Sequence, residues 1–403
     1  MAKSRLASVD ALRGSAALAV VLHHAVNYGN SLPSGSAWFT ASHAVLDQGY
    51  LGVPLFFVIS GYCIHLRWAK QQAEGARDSS VDFLGFWKRR LHRLYPPYFV
   101  ALCLSMGLVV AAYALGKVVP LVTLYPQPRL RWMALDFLAH VGMLHGFHPL
   151  LDKAGGNPPF WTLAREECFY LMYFGLLAAR RWWGMGAAFA AVFVLGIAFP
   201  LLMIPLLDRD SAWWSVVNSS AIVLWTQWCF GMVAVEAYYG LIKLPSWCYW
   251  GWLIPVWSGA AFASAIYCPR VTPSLWGAAF FTLLNCCVRS EGLSRWPKLR
   301  VVSWLSRVGI FSYSLYLVHN PVRGVAKQLL GSVADTLDPR LYILVSAFMA
   351  ILGYYAGKIF FNVVERRFLN AKPRTRTQAP AELPHGSLFS EPDGESAPQG
   401  VSA

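Results

Sequence analysis

Charge is what this chain has least of. Asp, Glu, Lys and Arg make up 13% of its 403 residues, against 56% hydrophobic and 15% aromatic, and the mean hydropathy is +0.43. So little charge excludes a soluble protein of this length, whose folded surface would lack the polar groups to face water. Metal-ligand spacing is missing as well. The eight cysteines (Cys63, Cys103, Cys168, Cys229, Cys248, Cys268, Cys286, Cys287) are scattered, with no CxxC pair and no Cys/His spacing. They read as small apolar packing residues, and no metal is expected. The N-terminus shows no clear small-residue cleavage site, and Asp10 and Arg13 interrupt its apolar run, so it reads as a retained first helix rather than a signal peptide. No repeat and no folded basic domain are visible. The net charge of +14 therefore points to membrane topology, with Lys and Arg in short clusters between apolar runs, and not to nucleic acid.

What the chain does have is apolar runs of spanning length. They lie near 11–29, 49–66, 97–116, 160–179, 184–206, 217–240, 249–267, 273–288, 308–330 and 340–362, which predicts an all-α integral membrane protein of about ten transmembrane helices. Segment 131–147 is also apolar, but Arg131, Asp136, His140 and His145 break it, so it reads as re-entrant or interfacial. If it does not cross, the basic clusters Lys88 to Arg93, Arg180-Arg181, Lys243, Arg289 to Arg300 and Arg366 to Lys372 share one side, while loop 30–48 carries no Lys or Arg. The positive-inside rule then puts both termini in the cytoplasm. Residues 1–370 form the membrane domain; 371–403, rich in Pro, Ser, Gly and Glu, read as a disordered cytoplasmic tail.

Ionisable residues inside such runs are costly and mark functional candidates. Arg13 and His24 stand eleven residues apart in the first run, so one helix face carries both, about 16 Å apart along the axis. His23 points about 80° away and reads as structural. Counting helical rise from Asp10, Arg180 and Arg307 places His24, Glu166 and His319 at depths of about 21, 21 and 18 Å, which suggests one shared polar pocket. A neutral imidazole beside a carboxylate can take a hydroxyl proton at neutral pH, as acyl transfer needs. Plainer roles stay open for each: a buried hydrogen-bonded histidine for His24, a helix-start carboxylate for Glu166, and packing ahead of Asn320-Pro321 for His319. Arg13 could be snorkelling, and the run Trp87 to Tyr98 could be a basic flank. Alternatively Arg90 and Arg93, at i and i+3, could clamp phosphate. The arginine-to-histidine separation is about the length of the pantetheine arm of an acyl coenzyme A.

Ser8-Val9-Asp10-Ala11-Leu12-Arg13-Gly14 leading to His24 resembles the opening signature of acyltransferase family three, the integral membrane O-acyltransferases of carbohydrates. Four more runs resemble its motifs in order: Gly52 to Tyr62, Arg89 to Tyr98, Phe160 to Tyr170, and Ser312 to Pro321. Pro54 stands where many members carry an acidic residue, and Arg165 replaces a usually apolar one. The resemblance covers about residues 6–368 and implies ten spans, a cytosolic acyl-CoA donor and an essential arginine and histidine in the first helix, here Arg13 and His24; the family's acidic residue falls on Glu166. It also implies a short form without a hydrolase-like extension, working alone or with a separate periplasmic partner. The expectation is a bacterial inner-membrane O-acyltransferase, most simply O-acetyl, acting on a carbohydrate or glycolipid hydroxyl. Arg13, Arg90 and Arg93 would hold acyl-CoA, and His24, Glu166 and His319 would be catalytic. The alternatives are a proton-coupled transporter with a His/Glu relay and a non-enzymatic membrane scaffold.

Overall fold

The computed structural model describes residues 6–27, 36–75, 82–116, 126–151, 156–207, 211–293, 299–330 and 337–369. The tail expected to be disordered lies outside the described residues. Among the described residues there is helix and no strand: α1 (Ala7–Val26), α2 (Ala37–Asp47), α3 (Gly52–Ala73), α4 (Phe83–Ala114), α5 (Arg129–Val141), α6 (Trp161–Met203), α7 (Trp213–Asn218), α8 (Ala221–Tyr238), α9 (Leu253–Tyr267), α10 (Thr272–Gly292), α11 (Arg300–Ile310), α12 (Ser312–Leu330) and α13 (Pro339–Val363). The chain is an all-α membrane protein.

Every expected apolar run coincides with helix, although the boundaries regroup. Runs 160–179 and 184–206 are two helical pieces of α6 that meet at a kink at Gly184, whose φ of 83° and ψ of 165° leave the helical region. Only glycine holds that backbone without strain. By length and apolarity six helical segments could cross a membrane, or seven if α11 and α12, bent by 79° to each other, make one span. The Pro158–Leu206 segment, 49 residues long, would extend about 73 Å if straight, enough for two crossings of a core about 30 Å thick. The 15 residues of α9 reach only about 22 Å. The 131–147 segment is a 13-residue helix, α5, followed by a short turn, too short to span. Three of its polar residues face inward, Asp136, His140 and His145 being fully buried and the last two stacked at 3.8 Å, while Arg131 is exposed.

Helix α1 is the hub, packing against α2, α3, α10, α11, α12 and α13. Its apolar window is 61% buried inside the protein, against 22% for the α6 segment and 28% for α13. A polar stripe on α1 therefore faces protein, while the outer helices show leucine and phenylalanine, such as Leu171, Leu195, Leu344 and Phe348, to the surroundings. Close crossings hold the hub in place. A Cβ on Gly14 would collide with Leu305 O, and one on Gly309 with Asp10 O, so the α1/α11 contact is backbone on backbone, the small-residue packing of membrane helices. Glu291, at the end of α10, caps the N-terminus of α1 by accepting from Ala7 N at 2.9 Å and Ser8 N at 2.8 Å, satisfying two donors that the helix leaves open.

Candidate active site

Two cavities lie along α1, and the stripe of Arg13 and His24 touches both. The first, about 360 Å³, is lined by all three candidate arginines, Arg13, Arg90 and Arg93, together with Ser60, Glu166 and Glu365. The second, about 450 Å³, is lined by His23, His24, Tyr50, Trp161 and Gln227. Val53, Phe57 and Tyr316 belong to the walls of both. Sequence periodicity put Arg13 and His24 on one face; the surrounding helices give each its own chamber.

In the arginine chamber the carboxylates are engaged and the guanidiniums are not. Glu365 Oε2 accepts from Ser314 N at 3.0 Å and from the Ser314 hydroxyl. Burial still pushes this carboxyl above its usual range, since desolvation outweighs those hydrogen bonds and the pull of Arg93 and Arg13. Glu166 accepts from Tyr170 Oη at 3.3 Å. Among the described residues Arg13, Arg90 and Arg93 make no ion pair and no hydrogen bond to protein. Arg90 lies over the rings of Phe86 and Tyr170, 5.7 Å from each centroid. Three open guanidinium forks in one half-closed cavity make a field for a polyanion, and phosphate oxygens are the ligands that guanidinium grips best.

In the histidine chamber the hydrogen bonds determine a tautomer. His319 Nδ1 lies 3.1 Å from Leu315 O, so that nitrogen carries the proton and Nε2 is left as an acceptor. His24 Nδ1 lies 2.9 Å from Val20 O and 3.4 Å from His319 Nε2, so it too is the protonated nitrogen. The lone pair of His24 is thereby left on Nε2, the arrangement a general base needs. Beside it, His23 Nδ1 sits 2.8 Å from Asp47 O and 3.0 Å from Asp47 Oδ1, and its ring meets that of His24 edge-on at 4.9 Å.

The three groups expected in one pocket are thus divided. His24 and His319 meet; Glu166 stands with the arginines and does not reach the imidazoles. Equal depth along separate helices does not fix which way each side chain turns, and α6 turns Glu166 toward α3 and α4. The count that placed His319 ran from Arg307 through the 79° bend between α11 and α12, so its contact with His24 arises from packing rather than from that count. Arg165, the odd residue of its motif, is 2% exposed and turns from both chambers, donating to Gly146 O at 2.5 Å and Ser219 O at 2.6 Å.

Glu365, Asp47 and Gln227 carry no signal in the sequence that marks them as site residues. Glu365 sits in the run Glu365-Arg366-Arg367 that reads as a basic flank, and Asp47 in a loop-like stretch. Gln227 is 3% exposed and donates through Nε2 to Pro273 O at 3.0 Å; nothing in an apolar helix sequence reveals that it faces a cavity.

The profile described as acyltransferase domain, the one carrying the number three in its series, matches residues 6–357. The chain belongs to acyltransferase family three. Among similar family proteins, the O-acetyltransferase OatA of Staphylococcus aureus (strain NCTC 8325 / PS 47) is 29% identical over 176 residues, 42% of this chain and 24% of that protein. The peptidoglycan O-acetyltransferase OatA of Listeria monocytogenes is 29% identical over 202 residues, 47% of this chain and 27% of that protein. A Rhizobium radiobacter protein named protein 2 in picA locus is 28% identical over 206 residues, 50% of this chain and 94% of its own length. The matched region spans about a quarter of the length of the two OatA proteins. No solved structure matches the chain.

Proposed function

We propose that this protein is a membrane O-acyltransferase that moves an acyl group, acetyl in the simplest case, from acyl-CoA to a hydroxyl of a carbohydrate or glycolipid. One observation carries the reading: a chamber of three guanidiniums without an ion pair among the described residues, and a chamber holding a histidine without a bond at Nε2 among them, meet at a common wall. Membership of the family supports it, as do relatives named O-acetyltransferase.

In this reading the protein lies in a bacterial inner membrane with both termini cytoplasmic, so the arginine chamber opens toward the cytosol and the histidine chamber away from it. Arg13, Arg90 and Arg93 bind the phosphates of the donor. The pantetheine arm points along α1 toward His24. His24 Nε2 takes the proton of the acceptor hydroxyl; the oxygen attacks the thioester carbonyl, the new C–O bond forms, the C–S bond breaks, and the thiolate leaves to collect a proton. His319 holds the His24 tautomer through the 3.4 Å contact at Nδ1, and Glu166 and Glu365 line the chamber that holds the donor phosphates. Either this chain completes the transfer itself or a separate periplasmic partner receives the acyl group.

The test uses the purified protein in lipid nanodiscs with radiolabelled acetyl-CoA and extracted envelope glycans. Coenzyme A should raise the melting temperature by mass action. Arg93→Ala should weaken that binding about tenfold or more, the effect of losing a charge-assisted hydrogen bond. His24→Ala should fold, bind coenzyme A and lose about 10²–10⁴-fold in transfer. Full transfer by His24→Ala, or no stabilisation by coenzyme A, overturns the reading.

A further inference from the structure

The wall between the two chambers is where the reacting carbonyl has to lie. A donor anchored among Arg13, Arg90 and Arg93 presents its thioester from one side, and a hydroxyl deprotonated by His24 attacks from the other. Among the described residues only Val53, Phe57 and Tyr316 face both cavities, so these side chains surround whatever extends beyond that carbonyl.

The three are held firmly. Val53 and Phe57 stand four residues apart on α3, one turn above the other on one face. Phe57 is 2% exposed and packs edge-to-face on Phe169 with centroids 5.2 Å apart. Tyr316, 6% exposed, donates through its hydroxyl to Pro159 O at 2.8 Å and lies 2.6 Å from Thr162 Oγ1. Its ring meets Phe56 at 5.9 Å and His319 at 5.7 Å. A wall tied at this many points does not yield to an added methylene without breaking packing or a buried hydrogen bond.

We propose that Val53, Phe57 and Tyr316 gauge the acyl group, admitting a two-carbon acyl chain and discriminating against longer ones. This rests on the acyl-CoA reading above. The gauge sets which thioester is used, and the acceptor is selected separately in the histidine chamber.

The experiment compares acetyl-CoA, propionyl-CoA and butyryl-CoA as donors for the full-length protein in nanodiscs, one acceptor being held constant. The unaltered protein should transfer butyryl at least about tenfold more slowly than acetyl, the discrimination that a shaped apolar pocket makes per methylene. Phe57→Leu and Val53→Ala should each raise the butyryl-to-acetyl ratio about tenfold; Val53→Ala removes little volume and serves if the buried Phe57 variant does not fold. Acetyl transfer with a ratio unmoved in either folded variant, or equal use of all three thioesters by the unaltered protein, overturns the gauge and leaves the acyl-CoA reading standing. Absence of transfer from every thioester overturns both.

Discussion

His319 Nε2 lies 3.4 Å from His24 Nδ1, so the neighbour that holds the candidate base is a second imidazole and not a carboxylate. An uncharged acceptor fixes the tautomer without the energetic pull that a buried anion would exert on the imidazolium. His319→Ala should therefore lower kcat more than tenfold while the KM for acyl-CoA, set in the other chamber, stays put. His319→Gln, whose amide oxygen can accept the same hydrogen bond, should recover part of the loss. Steady-state kinetics of the two variants check this; a KM change with constant kcat would remove His319 from the mechanism.

Gly14 follows directly on Arg13, and its role is separable from that of the arginine. Because a Cβ there would strike Leu305 O, Gly14→Ala should destabilise the protein by about 1–3 kcal/mol, the range for overpacking a close contact. Gly259, with no heavy atom within 4 Å of its Cβ position, is the control: Gly259→Ala should be neutral or stabilising, since glycine costs about 0.5–1 kcal/mol relative to alanine inside a helix. Thermal unfolding in nanodiscs reads both.

His145, outside the spanning helices, is pushed from 6.5 down to about 3 by burial first and the stacked His140 next, against the hydrogen bond to Phe160 O. The unfolded chain then binds one more proton than the folded one between those values, so stability falls as pH drops through the window from 6.5 toward 3. Each pH unit costs at most about 1.4 kcal/mol. His145→Phe should flatten that part of the melting temperature against pH. An unchanged slope would show that the ring is hydrated or already exposed.

The placement of Arg13, His24, Glu166 and His319 shows how much of the fold and site is legible in the sequence. Apolar runs of spanning length, and the eleven-residue spacing of Arg13 and His24 on one face, depend on local helical geometry and can be read from one strand of text. The same geometry led to a single pocket for His24, Glu166 and His319, because rise gives depth and says nothing of direction. Asp47 and Glu365 were hidden for a related reason: each lies far from its partner in the chain, His23 and Ser314 respectively.

The sequence by itself determined that this is a helical membrane protein of acyltransferase family three, because hydropathy, charge distribution and ordered motifs are properties of the chain read in order. Only the tertiary structure decided that the ionisable residues occupy two chambers, that His319 and not Glu166 meets His24, and that Val53, Phe57 and Tyr316 stand between. Those relationships come from side chains of separate helices turning toward or away from one another at crossings set by Gly14 and Gly309, and no local period encodes a crossing.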